Sequence, residues 1–510
     1  MAPPPLAPDF TFSVAPSRLS ASVGTSSPPI VVSVAARNGF AGTVNISVTG
    51  LPNGVTATPA SPFTMTPGSP QEVTLDIPAS ATPASGTLQF AATSGSLSKS
   101  GSVAWNLTGA PVITTYQNGS MVFLQSVTGN ETTRVGLLLN WGGTIGEVSR
   151  NGTNYVNTND PGREVQPEIW DGDAVYTGGV WGWSVVMAGD HDYNGSPVLA
   201  QTVDAQSIYI KSQPLLWVPE SFGGGSGNPV PGDIYAEQWI TPVPGYGSAF
   251  KVHFKLTHFG TDTHTNIPQE YPAVYVNRGF ETFQYYGGSS PWTYDSLSST
   301  TMPDLPQQGP LLNTPEQWGA YADSSGSGLT VYTPGSYPYT HGFNNAGPAP
   351  DGTNYFVPFT PYTWWPGAVL ESNIYVIAGP IADARAIIYA LRSQETAPSP
   401  FPANGTLELP AANATVTGHN VEVAGWTFGT SPISQVEVLV DGVVVGNATY
   451  GISRPDIPVA FRGATANSGF SYSWDTVKFV NGSHALSVRI TDQNGNIAIL
   501  PTVYFTVSNP

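Results

Sequence analysis

The chain has 510 residues and a formal charge of −18 at neutral pH, from 16 Lys and Arg against 34 Asp and Glu, and it contains no cysteine. That acidity argues against nucleic acid and anionic membranes as partners, and the missing thiols exclude disulfides, thiolate metal sites and cysteine nucleophiles. Charged residues make up only 10% of the chain while Gly (56) and Pro (48) abound, the balance of short strands joined by many turns.

The length predicts three or four domains. No run of 18 apolar residues occurs, so no membrane insertion is expected. Residues 1–8 lack the basic and apolar regions of a leader and read as a disordered terminus from which one has been removed; secretion or display at the cell surface is the expectation.

Residues 9–109 alternate apolar and small polar residues in short bursts such as Phe10-Thr-Phe-Ser-Val and Ile30-Val-Val-Ser-Val, the pattern of a sandwich of about seven strands. Within them, Thr49-Gly-Leu-Pro-Asn-Gly-Val-Thr-Ala resembles a segment of the immunoglobulin-like modules of exported bacterial proteins. The resemblance implies a spacer without chemistry of its own.

Residues 110–395 hold ten of the 13 Trp and five of the 7 His, so function is sought here. The stretch Val135-Gly-Leu-Leu-Leu-Asn-Trp-Gly-Gly-Thr-Ile-Gly-Glu-Val-Ser-Arg reads as strand, Gly turn and strand. It resembles the opening of galactose mutarotase-like domains, which implies a large antiparallel supersandwich with a sugar-binding face. A jelly roll fits the same strand pattern. No Asn-His-x-Phe segment is present, so no catalytic role carries over from that family.

Three clusters could carry chemistry. In Gly162-Arg-Glu-Val-Gln-Pro-Glu-Ile-Trp-Asp-Gly-Asp, alternation puts Glu164, Gln166 and Glu168 on one face and Val165 and Ile169 on the other. Carboxylates beside Trp170 suit a sugar, whose C–H face stacks on an aromatic ring while the acids bind hydroxyls or move protons; Asp171 and Asp173 read better as turn residues. Asp190, Asp192 and Asn194 match the start of a calcium loop, but position twelve is Gln201 instead of Glu. A structural Ca²⁺ and an acidic surface turn are therefore the two readings, and no other cofactor is expected. The densest cluster runs from His253 to Tyr275. His258, Asp262 and His264 can bind metal or exchange protons, and Glu270 and Tyr271 re-enter a strand beside them. Trp292, Tyr339, His341, Trp364 and Trp365 sit beside Gly or Pro and could line a glycan groove, although buried Trp is more often core.

Apolar spacing predicts a helix at Ile381–Ser393 before a Pro-rich linker at 396–403. In residues 404–510, Asp441-Gly is a hairpin turn between alternating runs. Together with Val421-Glu-Val-Ala-Gly-Trp-Thr-Phe and Asn481-Gly-Ser-His-Ala-Leu-Ser-Val-Arg-Ile-Thr-Asp, it resembles a bacterial Ig-like domain, with Trp426 and Trp474 as core aromatics. The fold expected is all-β, a large central antiparallel sandwich flanked by two immunoglobulin-like modules.

The function this composition favours is hydrolysis of a largely neutral polysaccharide or oligosaccharide by a monomer, with the acid and base drawn from Glu168, Glu237 and Glu270. A polysaccharide lyase with Tyr271 or His264 as base is the nearest rival, and a non-catalytic adhesive protein the alternative of another class. No Gly-x-Ser-x-Gly elbow, phosphate loop or dinucleotide fingerprint supports other chemistries.

Overall fold

A computed structural model describes residues 6–157, 162–170, 182–218, 228–301, 309–310, 312, 314–335, 339–345, 352–364, 366–392, 404–428, 432–460, 465–492 and 497–510. The chain is nearly all β-structure, with two small two-sheet sandwiches at the ends of a large one.

In the first sandwich, a four-stranded sheet ordered Asp9–Ala15, Ile30–Arg37, Gln71–Asp76 and Thr56–Thr58 packs on a five-stranded one. Phe10, Val32, Ile46, Leu75 and Phe90 fill the space between them. Gly50 of the Thr49-Gly-Leu-Pro-Asn-Gly turn has φ +80°, and a Cβ there would lie 2.3 Å from the Thr87 carbonyl oxygen. Only glycine fits both the conformation and the space.

The central sandwich sets an eleven-stranded sheet against a nine-stranded one. The main path of the first runs Val112–Asn118, Met121–Thr128, Glu131–Leu138, Thr144–Arg150, Val165–Trp170, His264–Asn277, Thr353–Trp364, Tyr339–Asn345. The second runs Val198–Asp204, Ser207–Ser212, Ile234–Val243, Tyr246–His258, Val369–Pro380, Ser327–Tyr332, Trp318–Ala322, Thr282–Tyr285, Ser298–Thr301. Apolar residues at alternate positions, such as Ala236, Ile240, Val252, Phe254 and Val274, meet between the sheets in one core. The stretch beginning at Val135 is the antiparallel pair Glu131–Leu138 and Thr144–Arg150, as its pattern predicts.

The helix spans Ile381–Leu391 and starts directly from the strand Val369–Pro380. It lies between the nine-stranded sheet and the first sandwich. Arg18 pairs with Asp383 at 2.5 Å and Arg392 with Glu72, while Tyr294 and Tyr246 donate to the carbonyls of Pro29 and Ser26 at 3.0 and 3.3 Å.

The last sandwich has a four-stranded and a five-stranded sheet. Val440 pairs with Val443 across Asp441 and Gly442, whose φ values of 50° and 78° are those of a two-residue hairpin. Trp474 lies in the core and Trp426 against Phe428 and Ile457, both as expected of packing residues.

Candidate functional site

The outer face of the eleven-stranded sheet carries the first site. Glu168 on Val165–Trp170 is the direct partner of Glu270 on His264–Asn277, and Glu270 in turn of Phe359 on Thr353–Trp364. Four residues along Thr353–Trp364 from Phe359, Tyr355 pairs with Tyr275, their rings stacked with centroids 5.9 Å apart. Tyr275, Tyr355 and Phe359 form a small apolar cluster with Ala273 and Val357 beside the carboxylates.

Residues 270 and 275 are an odd number apart, so strict alternation would place them on opposite faces. A register shift between Glu270 and Val274 reverses the parity and brings the Tyr275 hydroxyl to 3.4 Å from Glu168 Oε2. The Gln166 amide donates to Glu168 Oε1 at 3.0 Å, and its own carbonyl oxygen accepts the Ala188 N–H at 2.7 Å, which fixes its orientation.

Like charges on one rung destabilise each other. Burial lifts Glu168 to about 7, against the lowering influence of Gln166, Arg163 and Tyr275. Glu270 is pushed well above the carboxylate range, by burial first and then by the charge of Glu168. Both carboxyls are thus held toward their neutral forms by burial, while the donors around Glu168 favour its ionised form.

A second cluster lies where the chain crosses between the sheets. His258 ends Tyr246–His258, His264 begins the strand carrying Glu270, Asp262 lies on the loop between them, and Asp233 precedes Ile234–Val243. Their ligand atoms lie within 4.8 Å of one another. His258 Nε2 is 3.1 Å from Asp233 Oδ2 and 3.8 Å from Asp262 Oδ1, and His264 Nε2 is 3.7 Å from Asp262 Oδ1. The Trp183 indole donates to Asp233 Oδ1 at 2.7 Å and its ring stacks on His264 with centroids 3.7 Å apart. Both imidazoles are buried and Asp262 is exposed.

Other expected site residues stand elsewhere. Glu237 lies on the outer face of the nine-stranded sheet, on the far side of the core from Glu168. There it accepts a 2.7 Å hydrogen bond from Tyr209, whose hydroxyl is pushed up to about 12 by burial and by this carboxylate. Tyr271 points between the sheets against Phe254 and is 1% exposed; burial raises its pKa above the ordinary tyrosine value, so it cannot serve as the base of an elimination. His341 also points between the sheets, stacked on Phe283 at 4.5 Å, and burial lowers it to about 4. Trp364 is fully buried behind the second cluster, 6.3 Å from Trp183, and gives no platform. Trp292 packs at the helix, in edge contact with Tyr389 and under the Arg392 guanidinium. These aromatics were expected in loops, where the structure instead uses most of them as packing.

Trp170 follows Glu168 on its face, with its backbone N–H and carbonyl held by the Gln269 side chain at 2.8 and 2.9 Å. Tyr339 lies on the terminal strand of the sheet path, where its backbone pairs with Pro358. Trp365, Asp171 and Asp173 lie outside the described residues. Asp190 lies in the turn closed by the Gly189–Gly195 bridge. Its Oδ1 accepts the N–H groups of Asp192 and Asn194 at 3.0 and 2.9 Å, and its Oδ2 the Asn194 amide at 2.9 Å, so the carboxylate serves to hold its own turn.

The residues missed by pattern reading are Tyr275, Tyr355, Phe359, Asp233 and Trp183. Tyr275 was hidden by the register shift, Tyr355 and Phe359 join it only through strand pairing, and Asp233 sits in Pro231-Gly-Asp with no periodic signal around it.

The family model described as a bacterial Ig domain matches residues 405–488. No curated protein sequence matches the chain. Among solved structures, a protein described as an aldose 1-epimerase from Klebsiella pneumoniae is similar at 13% identity over 61% of this chain and 88% of its own, with a TM-score of 0.31. A polysaccharide lyase is similar at 13% identity over 75% and 47%, with a TM-score of 0.28. An endo-β-1,4-mannanase from Thermotoga petrophila is similar at 16% identity over 25% and 24%, with a TM-score of 0.17. The chain thus spans less than half of the lyase and about a quarter of the mannanase, and likenesses this weak carry no argument about activity. Among the described residues, no helix is long and apolar enough to cross a membrane.

Proposed function

We propose that the chain is a secreted bacterial glycoside hydrolase acting on a largely neutral glycan, with Glu270 as general acid and Glu168 as the ionised partner. The observation that carries this reading is the Glu168–Glu270 pair itself, two carboxyls on one rung whose surroundings divide the roles of acid and base between them. Tyr355, Phe359 and Trp170 would offer rings to the sugar, and the bacterial Ig domain would serve as a spacer.

The test is release of reducing ends from a panel of neutral polysaccharides by the whole chain and by Glu168→Gln and Glu270→Gln. Activity lost in both variants with binding kept supports the assignment. Unsaturated products would instead point to a lyase, and binding without turnover in the parent chain to an adhesive role.

A further inference from the structure

We infer that Asp233, His258, Asp262 and His264 form a binding site for a divalent transition-metal ion of the zinc class, separate from the Glu168–Glu270 pair. The donor set comes first. Two imidazoles with two carboxylates are ligands that Zn²⁺ and its neighbours in the first transition row accept, whereas Ca²⁺ and Mg²⁺ prefer oxygen alone.

Spacing comes second. Ligands at about 2.0–2.2 Å around a tetrahedral zinc stand about 3.3–3.6 Å from one another. Three of the six separations here are 3.1, 3.7 and 3.8 Å and all six lie within 4.8 Å, so an ion would draw the donors together by about an ångström or less.

The surroundings are also those of a held site. The Trp183 indole takes up Asp233 Oδ1 at 2.7 Å and leaves Oδ2 turned toward His258, and the same ring, stacked on His264, fixes that imidazole's plane. Such outer contacts orient metal ligands. Gly260 lies directly against the donors: a Cβ there would be 2.0 Å from Asp233 Oδ2 and 2.5 Å from His258 Nε2. Any larger residue would fill the space. Asp262 approaches from the solvent side, its side chain 67% exposed, so an ion can enter without the core opening.

The position suggests what the ion does. His258 ends a strand of the nine-stranded sheet, Asp233 immediately precedes another, and His264 begins a strand of the eleven-stranded one, so the metal would tie the two sheets at the point where the chain passes between them. Glu270 lies six positions beyond His264, about 20 Å of extended strand. The ion is therefore a staple that holds the strand carrying Glu270, at a distance from the reaction.

The whole chain, stripped with chelator and dialysed, would be titrated with Zn²⁺ by calorimetry, and its Co²⁺ form examined for the visible bands of a four-coordinate ion. One ion per chain is expected, with a higher melting temperature when loaded. His264→Gln should abolish binding. Asp262→Asn, at an exposed position where folding is not at stake, should weaken it at least tenfold. No saturable binding by a folded chain, or variants that bind as the parent does, overturns the assignment. Because the readout is binding, failure of the glycosidase reading would leave this result untouched.

Discussion

Glu316 and Arg385 meet in a two-point ion pair beneath the helix, with Arg385 Nη2 at 2.8 Å from Oε1 and Nε at 3.0 Å from Oε2, both side chains almost wholly enclosed. Tyr389, the Trp318 indole and the Trp292 backbone N–H donate to the same carboxylate at 2.6, 2.9 and 3.0 Å. Removing one partner strands a buried charge, so Glu316→Ala should cost about 3–5 kcal/mol. The double variant Glu316→Leu/Arg385→Met should lose less than the single one. Denaturant melts measure both, and a double variant worse than the single would sink this account.

For the carboxyl pair the prediction joins activity to stability. Glu168 has a folded pKa of about 7, above its ordinary 4.5, so folding favours its protonated form and stability falls as pH rises between those values. Glu168→Gln should therefore raise the melting temperature at pH 8, leave it unchanged near pH 4, and reduce turnover about a hundredfold or more. An equal gain at both pH values would mean that ionisation is not the cause.

Tyr275 supports the ionised form of Glu168. In Tyr275→Phe the acidic limb of the kcat/KM profile should move to higher pH, by up to about one unit. A profile that only drops in height, without moving, would assign the hydroxyl to substrate contact instead.

In the last module, His484 Nε2 bonds the Val480 carbonyl at 2.8 Å and Nδ1 lies 2.6 Å from Asp441, and both hold its imidazolium, raising its pKa. A raised histidine stabilises below its unfolded value near 6.5 and loses that contribution as pH climbs through the folded one. Isolated residues 404–510 should melt at higher temperature at pH 6 than at pH 8, and His484→Gln should flatten the difference. A slope that survives the substitution would rule the histidine out.

Much of the fold was legible because its periods are local. Glu164, Gln166 and Glu168 against Val165 and Ile169 follow strand alternation, the helix from Ile381 follows its apolar spacing, and Asp441-Gly442 specifies its turn through φ. His258, Asp262 and His264 stand close in the sequence, and the fold brings their side chains together. What hid the rest was non-local. Tyr275 joins Glu168 only through a register shift, and Asp233 joins His258 only through the pairing of Ile234–Val243 with Tyr246–His258. Composition misled at Tyr271, His341 and Trp364, because an aromatic ring or a neutral imidazole satisfies a core as readily as it lines a groove. Glu237 looked like a partner of Glu168 until the two sheets put the core between them.

The contacts between the first sandwich and the helix also define a path for mechanical load. Arg18 and Glu72 grip Asp383 and Arg392 near the helix ends, and the helix is rooted in Val369–Pro380, which lies inside the nine-stranded sheet between Tyr246–His258 and Ser327–Tyr332. The first module is thus anchored to a helix that continues an interior strand, hydrogen-bonded on both sides, and not to an edge strand of the sheet.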